Sequence, residues 1–206
     1  MNKTFGIVVI MAKRPVLGKA KTRLAAAVGS QMALDLYKMM LSKTFMVAEA
    51  SGKKVLVLAT GKGDLKLPSS FLLEEQVEGD LGAKMQHGFQ TAMERFPNEP
   101  IVMIGTDCYD LTIDELSNAF DVLTKNQLVF GPSEDGGYYL IGMNALHPEV
   151  FESMEWSVSS VMSETKVRMR QTGLAWDEVK TLNDIDTLAD LKTSSLWNEV
   201  KTNIKA

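Results

Sequence analysis

Residues 5–23 read F-G-I-V-V-I-M-A-K-R-P-V-L-G-K-A-K-T-R, an apolar run followed at once by a strongly cationic segment. The run from Phe5 to Met11 has the composition of a buried strand. Between Lys13 and Arg23 the chain carries five basic side chains and no acidic one. A glycine-bearing cationic loop at the end of a buried strand is where an open α/β sheet binds phosphate. The stretch therefore predicts nucleotide or phosphosugar chemistry.

The composition narrows the class of protein. A chain of 206 residues, 45% apolar and 23% charged, is typical of one globular domain, here expected to span residues 1–206. Its net charge of −4 disfavours nucleic-acid binding through a basic surface. No apolar stretch approaches the ~20 residues of a membrane helix. The lone Cys108 cannot form an internal disulfide, so we expect a reducing, cytoplasmic compartment.

Apolar strands alternate with amphipathic helices along the chain. Helical spacing predicts helices at 30–50, 81–96, 112–123, 158–171 and 187–196, the first capped by Ser30 and the second interrupted by Gly88. Apolar runs predict further strands at 55–59, 71–73, 101–104, 128–130 and 139–141. This order implies a mostly parallel, Rossmann-like sheet with helices on both faces, a three-layer α/β/α sandwich. Ligands of such sheets bind beyond the carboxyl ends of the strands, here after Met11, Ile104 and Phe130.

The basic segment after the first strand is the first of these sites. Its cationic side chains offer charge-assisted donors to phosphate oxygens; they are Lys13, Arg14, Lys19, Lys21 and Arg23. It is not a P-loop, because Gly18-Lys19 is followed by Ala20 rather than by Ser or Thr. The alternative is a solvated basic turn, but so many bases directly after a first strand favour phosphate binding.

Carboxylates follow the strand at 101–104, in the segment G-T-D-C-Y-D-L at 105–111. Asp107 lies just past the strand end, where it can hold a hard divalent cation while substrate phosphates fill the other positions. Asp110 has an alternative role at the start of the helix near Thr112. A second metal ligand can come from N-D-I-D-T at 183–187, where the residues alone do not choose between Asp184 and Asp186.

The segment G-P-S-E-D-G-G-Y-Y at 131–139 is the third post-strand site. Gly136 and Gly137 permit a close approach of ligand to backbone, and Glu134 and Asp135 place carboxylates beside it. The alternative is a tight hairpin turn, since D-G is a strong hairpin signal. Tyr138 or Tyr139 can stack on a base or sugar, or can simply pack within the sheet.

Six blocks in order resemble a known group of proteins: M-A-K-R-P-V-L-G-K-A-K-T-R-L at 11–24, G-D-L-G at 79–82, the segments at 105–111 and 131–142, W-S-V-S-S-V at 156–161 and D-I-D-T-L-A-D-L at 184–191. Together they resemble a bacterial glycosyltransferase-like family of the nucleotide-diphospho-sugar transferase superfamily, which has the GT-A fold. The chain is also similar to the 2-phospho-lactate guanylyltransferases. Two departures are Tyr109 in place of the usual Pro and Lys84 in place of the usual Arg.

The resemblance implies roles for individual residues. It places Arg14, Gly18, Lys21 and Arg23, together with Gly82 of the G-D-L-G block, at the nucleotide phosphates. It implies that Asp107 ligates Mg²⁺ or Mn²⁺ and prefers Asp186 as its partner. It also implies that the sugar or acceptor is faced by Asp135, Gly136, Gly137 and Tyr138, with Glu134 beside them.

These observations predict a metal-dependent transferase that uses a nucleotide-diphospho-sugar donor and a small-molecule acceptor. Lys21 is expected to stabilise charge on the leaving nucleotide, and Glu134 or Asp135 to deprotonate an acceptor hydroxyl. One alternative is a nucleotidyltransferase that joins an NTP to a phosphorylated small molecule and releases pyrophosphate. Another is a non-catalytic nucleotide-binding protein. A homodimer contact is a candidate for completing the acceptor pocket.

Overall fold

A seven-stranded sheet forms the centre of the fold. The computed structural model describes residues 5–204. Its strands are β1 Ile7–Lys13, β2 Lys54–Thr60, β3 Leu72–Glu75, β4 Ile101–Ile104, β5 Leu128–Pro132, β6 Tyr138–Met143 and β7 Trp176–Glu178. They lie in the order β3-β2-β1-β4-β6-β5-β7. Strand β6 runs antiparallel to both of its neighbours, and the other pairs are parallel.

Helices cover both faces of the sheet. They are α1 Thr22–Val28, α2 Ser30–Ala50, α3 Leu81–Arg95, α4 Ile113–Leu123, α5 Val161–Thr172, α6 Leu188–Thr193 and α7 Leu196–Val200, with a 3₁₀ turn at Pro148–Val150. One buried cluster joins the sheet to α1, α2, α4, α6 and α7, and a second joins the opposite face to α3 and α5. The predicted three-layer α/β/α arrangement is therefore confirmed. Among the helices of residues 5–204, none combines the length and apolarity that a bilayer crossing requires.

Several element boundaries differ from the sequence predictions. Helix α3 continues through Gly88 without interruption. A Cβ at this position would lie 2.5 Å from Leu58 Cδ1, so the glycine lets the helix pack closely on the sheet. Ser30 is the first residue of α2 and not its cap; Gly29 precedes it. The predicted helix at 187–196 is two short helices, and Thr187 caps the first through a capping box with Asp190.

The strand order creates a site at one edge of the sheet. Strand β1 pairs in parallel with both β2 and β4, with Ile10 opposite Ile104. The segments after β1 and β4 therefore emerge side by side. Strand β6 begins at the same edge, because it is antiparallel and its Leu140 pairs with Ile104. This is the topological position at which α/β sheets bind ligands.

Candidate functional site

A cleft of ≈ 510 Å³ opens at the carboxyl ends of β1 and β4. Its charged lining residues come from three distant stretches of sequence: Lys13, Lys19, Lys21, Arg23, Asp107, Asp184 and Asp186. Its wall on the α3 side is largely apolar and consists of Met11, Leu81, Met85, Met103, Tyr138 and Ile141. The cleft thus has a charged side and an apolar side.

Lys21 lies at the centre of the charged side. Its ammonium nitrogen is 2.8 Å from Asp107 Oδ1 and 2.9 Å from Asp186 Oδ1. Arg23 forms an ion pair with the other oxygen of Asp186. An ammonium group has three donors, and these two carboxylates take two of them. The predicted convergence of the basic loop and the post-strand carboxylate is therefore observed within one cleft.

The backbone aims Lys21 at this position. Lys21 precedes α1 in a left-handed conformation, with φ 50° and ψ 50°, which is uncommon for a residue with a side chain. Its side chain is only 5% exposed, whereas that of Asp107 is 42% exposed. The ammonium is therefore held below the surface, and the Asp107 carboxylate remains open to the cleft. Strained backbone of this kind is often found at functional sites.

Mutual attraction fixes the charge states of this group. Desolvation by burial lowers the pKa of Lys21, but the charges of Asp107 and Asp186 outweigh it and raise the pKa above its ordinary value. For Asp186, desolvation by burial acts to raise the pKa. The positive charges and hydrogen bonds of Lys21 and Arg23 outweigh this effect, so the pKa of Asp186 lies below its ordinary value. Both groups are consequently charged across the neutral range.

The C-terminal segment is fastened to the loop that carries Asp107. The backbone N–H of Ile185 donates to the carbonyl of Asp107 at 3.0 Å. The Tyr109 hydroxyl donates to Glu199 at 2.8 Å. The carboxylate of Asp110 accepts from the Ser195 N–H at 3.1 Å, so Asp110 holds α7 in place while Thr112 caps α4. These contacts bring Asp107 and the 184–186 segment to one point.

Asp184 is a third carboxyl at the cleft and differs from the other two. The Ser133 hydroxyl donates to its Oδ2 at 3.2 Å. Desolvation by burial and the nearby charge of Asp107 raise the pKa of Asp184 to about 7, although Lys21 opposes them. At neutral pH this carboxyl therefore exchanges its proton readily.

We expect Asp184→Asn to raise the unfolding free energy of the metal-free protein above pH 7 by about 2–4 kcal/mol. The pKa of this carboxyl is raised from 3.8 to about 7, so between those values the unfolded chain loses its proton first and stability falls as pH rises. Below that window both states hold the proton and the substitution changes little. Denaturant unfolding with chelator at about pH 4 and about pH 8 measures the difference. Equal stability of the two proteins at the higher pH would contradict it.

Three of the predicted phosphate-binding residues do not line the cleft: Arg14, Gly18 and Gly82. The Arg14 guanidinium instead makes a two-pronged ion pair with Glu75 and donates to the Gly61 carbonyl at 3.0 Å. Gly18 forms a turn with φ 73° and has no neighbour within 4 Å of the position a Cβ would take. Lys13, Lys19, Lys21 and Arg23 do line the cleft.

Gly82 is also placed differently from its predicted contact with phosphate. It lies in the first turn of α3 beneath Trp156, and a Cβ on it would come 2.5 Å from Trp156 Nε1. The glycine therefore makes room for an indole ring. Trp156 and Gly82 belong to separate sequence blocks that the fold brings into contact.

The 133–137 segment is a hairpin turn between β5 and β6, as the alternative interpretation predicted. Asp135 uses Oδ1 to accept from the Gly137 N–H at 2.9 Å. Glu134, Asp135, Gly136 and Gly137 are not among the residues that line the cleft, whereas Tyr138 is. The predicted proton-accepting role of Glu134 or Asp135 thus lacks a position beside Lys21, and Asp184 has one.

Two polar residues of the site, Tyr37 and Gln76, were not predicted from the sequence. The Tyr37 hydroxyl donates to the Lys13 carbonyl at 2.7 Å and accepts from its N–H at 3.0 Å, which anchors the end of β1. The Gln76 side-chain amide donates to the carbonyls of Ala12 and Leu58 at 3.3 and 2.8 Å. Because both neighbours are acceptors, the amide nitrogen must face them, and Oε1 of this cleft-lining residue remains as an acceptor. Tyr37 occupies an apolar position in the helical pattern of α2, which indicates a core residue rather than a site residue. Gln76 belongs to no local motif that would indicate a role in the site.

The donor set can be compared with the needs of a divalent cation. Within residues 5–204, no group of three His, Cys, Asp or Glu side chains is arranged to hold a metal ion. Mg²⁺ sites often use only one or two carboxylates, with substrate phosphates and water completing the shell. Asp107 and Asp186 converge on one nitrogen and Asp107 is partly exposed, so this pair fits such a site.

Comparisons with known proteins agree with this architecture. A family model described as "Uncharacterized protein conserved in bacteria (DUF2064)" matches residues 41–158, more than half of the chain. No curated protein matches the sequence. A solved structure from Desulfovibrio desulfuricans G20, provisionally described as a nucleotide-diphospho-sugar transferase, is 26% identical with a TM-score of 0.86. The match covers 96% of this chain and 94% of that one.

More distant structures share the fold. The inositol-1-phosphate CTP transferase from T. maritima is 12% identical with a TM-score of 0.59, and the match covers 100% of both chains. Rv0371c from Mycobacterium tuberculosis H37Rv, solved in complex with manganese, is 14% identical with a TM-score of 0.56. That match covers 91% of this chain and 96% of that one. The superfamily suggested by the sequence blocks is thereby confirmed at the level of fold.

Proposed function

We propose that this chain, which belongs to the DUF2064 family of bacterial proteins, is a metal-dependent transferase acting on a nucleotide-diphospho-sugar. The observation that carries the proposal is the Lys21 ammonium between Asp107 and Asp186 in a cleft at the topological switch point of the sheet. The likeness to the Desulfovibrio desulfuricans protein, over nearly the whole of both chains, supports a transferase of this kind.

The cationic side chains of the cleft bind and stabilise the diphosphate. Lys21 keeps one donor for a phosphate oxygen while its other two hold Asp107 and Asp186 in place. Arg23 extends the cationic surface at the rim, where its side chain is 69% exposed. Such preorganised donors stabilise the charge that grows on the leaving nucleotide as the bond to the sugar breaks.

Asp107 and Asp186 are the residues that would hold Mg²⁺ or Mn²⁺. When bound, the cation supplies positive charge that neutralises the diphosphate and lowers the barrier to its departure. When no cation is bound, Lys21 keeps the two carboxylates close together and compensates their mutual repulsion. Asp184, in place of Asp135, accepts the proton of the acceptor hydroxyl, because it lies at the cleft and has a pKa of about 7.

A second candidate is nucleotidyl transfer from an NTP to a phosphorylated small molecule. Lys13 and Lys19, both exposed on the cleft wall, add two cations beyond Lys21 and Arg23. That additional charge suits a triphosphate better than a diphosphate. Arg14, which this reaction was also expected to use, is held away by Glu75.

The first test measures nucleotide affinity. UDP- and GDP-sugars and NTPs are titrated into wild type and Asp107→Asn in the presence and absence of Mn²⁺. We expect Mn²⁺ to increase the affinity of wild type and Asp107→Asn to lose about tenfold or more of that increase. Asp110→Asn is the matched control, because Asp110 lies three residues away and contacts Ser195 rather than the cleft. The same Mn²⁺-dependent affinity in wild type and Asp107→Asn would overturn the metal role.

Products distinguish the two reactions. Pyrophosphate released from NTPs in the presence of phosphorylated acceptors supports nucleotidyl transfer. A nucleoside diphosphate released from a nucleotide-sugar supports sugar transfer. Binding of nucleotides without turnover of either donor class would favour the non-catalytic alternative.

A further inference from the structure

Two buried polar groups near the cleft have no hydrogen-bond partner. Among residues 5–204 these are the hydroxyl of Tyr138 and the indole Nε1 of Trp156, and they are the only such buried side-chain atoms. Buried donors are normally paired, because losing water without gaining a partner costs free energy. An exception in a folded protein calls for an explanation, and here the two exceptions are neighbours.

Tyr138 lines the cleft, and Trp156 packs against it from outside the cleft lining. The rings of Tyr138 and Trp156 meet edge to face, with centroids 6.5 Å apart and planes at 89°. Tyr138 lines the cleft together with Leu81, the first residue of α3. Trp156 lies over the next residue, Gly82, in van der Waals contact with its backbone. Trp156 Nε1 therefore borders the N-terminal turn of α3, and Tyr138 connects that indole to the apolar side of the cleft.

That helical turn offers donors of its own. The Asp80 side chain caps the N–H of Ala83, and the Asp80 carbonyl accepts from Lys84. The N–H groups of Leu81 and Gly82 come before these and have no acceptor within the helix. Helix α3 has 15 residues, so its amino end carries the partial positive charge of a full helix. Donors thus come from the helix end and independently from two side chains.

We propose that Tyr138, Trp156 and the first turn of α3 form a subsite for an oxyanion of the second substrate, a carboxylate or a phosphate. This deepens the proposed function and rests on it: the nucleotide phosphates occupy the Lys21 side, and the second substrate occupies the α3 side. An oxyanion has only acceptor oxygens, which match a set of donors, and charged acceptors form the stronger hydrogen bonds.

Access to the subsite requires movement of Trp156. Both donor atoms are shielded in this structure, so an oxygen reaches them only after side chains move, and the side chain that we expect to move is the indole over Gly82. Left-handed backbone at Ser153 and Ser157, with φ 52° and 65°, flanks the tryptophan on both sides. Such conformations are unfavourable for residues other than glycine. A movement of the segment around Trp156 that relaxes this strain is therefore favoured.

Nuclear magnetic resonance can observe the Trp156 N–H directly. In ¹H–¹⁵N spectra of the full chain, Trp156→Phe identifies its indole peak among those of the three tryptophans. Inorganic phosphate and acetate are titrated separately, so the two arms separate the two oxyanion classes. We expect a saturable downfield shift of this peak with one of them. We also expect about tenfold weaker binding in Tyr138→Phe, which removes one charge-assisted hydrogen bond.

Stability provides a second readout. Tyr138→Phe removes an unpaired hydroxyl and should leave the melting temperature unchanged or raise it. Tyr139→Phe is the matched comparison and should lower it, because that hydroxyl donates to the Lys180 carbonyl at 2.8 Å. A packing role alone predicts no Trp156 shift with either ion, and that result overturns the subsite. A shift that Tyr138→Phe leaves unaltered overturns it as well.

The outcome for the subsite is separable from that for the proposed function. Nucleotide binding is measured at Lys21 and Asp107, and oxyanion binding at Trp156. A Trp156 response without nucleotide binding would defeat the transferase proposal and keep the anion site. Nucleotide binding without a Trp156 response would defeat the anion site and keep the transferase proposal.

Discussion

Lys21→Met is expected to reduce turnover by about 10²- to 10³-fold and to destabilise the fold by about 2–4 kcal/mol. The substitution keeps an unbranched side chain one atom shorter and removes the charge, so Asp107 and Asp186 face each other without compensation. We place the loss of stability below the largest values for buried ion pairs because both carboxylates are partly solvated. Enzyme assays and denaturant unfolding measure the two effects.

The pH dependence of this contribution follows from the two pKa shifts. Asp186 has a lowered pKa, so its contribution is present above its unfolded value and is lost as pH falls through the folded value. Lys21 has a raised pKa, so its contribution is present below its unfolded value and is lost as pH rises through the folded one. The cost of Lys21→Met should consequently be greatest at neutral pH and shrink in strong acid and strong base.

Lys19→Met is the control for Lys21. Lys19 lines the same cleft but is exposed, and the described residues give it no carboxylate partner. We expect a loss of affinity of a few-fold and little change in stability. If Lys21→Met binds nucleotide as tightly as wild type, the central role of this ammonium is wrong.

Gly136→Ala is expected to destabilise the protein by about 3 kcal/mol or more. Gly136 has φ 92°, and a Cβ on it would lie 2.0 Å from the carbonyl oxygen of Ser159. Its own carbonyl accepts from the Met162 N–H at 2.8 Å, so the turn is clamped against the start of α5. The added methyl group must push these segments apart and displace Tyr138, two residues away.

Gly173→Ala separates backbone strain from steric overlap. Gly173 also has a left-handed φ, 72°, but nothing lies within 4 Å of the position its Cβ would take. Its replacement should cost only about 1 kcal/mol. Thermal or denaturant unfolding of the two variants gives the comparison. Equal losses of stability in the two variants would show that the Ser159 backbone moves aside easily and that its contact with Gly136 restrains the turn only weakly.

The fold was predictable because its signals are local. The apolar runs of β1, β2 and β4 and the helical spacing of α2 lie in continuous stretches of sequence. Strand β7 escaped prediction because it has three residues and is only partly buried. Helix α1 was not predicted as a separate element, because its seven residues bury only Leu24 and its first residues belong to the basic segment.

The site was predictable where topology could place it. Lys21 and Asp107 each follow a strand, and the rule for strand ends brings them together although 86 positions separate them. The partner of Arg14 could not be read in this way. Glu75 lies 61 positions away on an edge strand, and nothing in either segment indicates their ion pair.

The distinction between Asp184 and Asp186 also required three dimensions. Both precede α6 in the same short segment, but Lys21 and Arg23 contact Asp186, whereas Ser133 contacts Asp184. Their environments move the two pKa values in opposite directions. Sequence spacing cannot show which neighbour a carboxylate meets.

The most direct measurement is a crystal structure grown with Mn²⁺ and a nucleotide-sugar, with anomalous diffraction data collected at the manganese edge. We expect an anomalous peak between Asp107 and Asp186, and a diphosphate whose oxygens contact Lys21. A nucleotide bound elsewhere, or one at this cleft with manganese absent from both carboxylates, would contradict it.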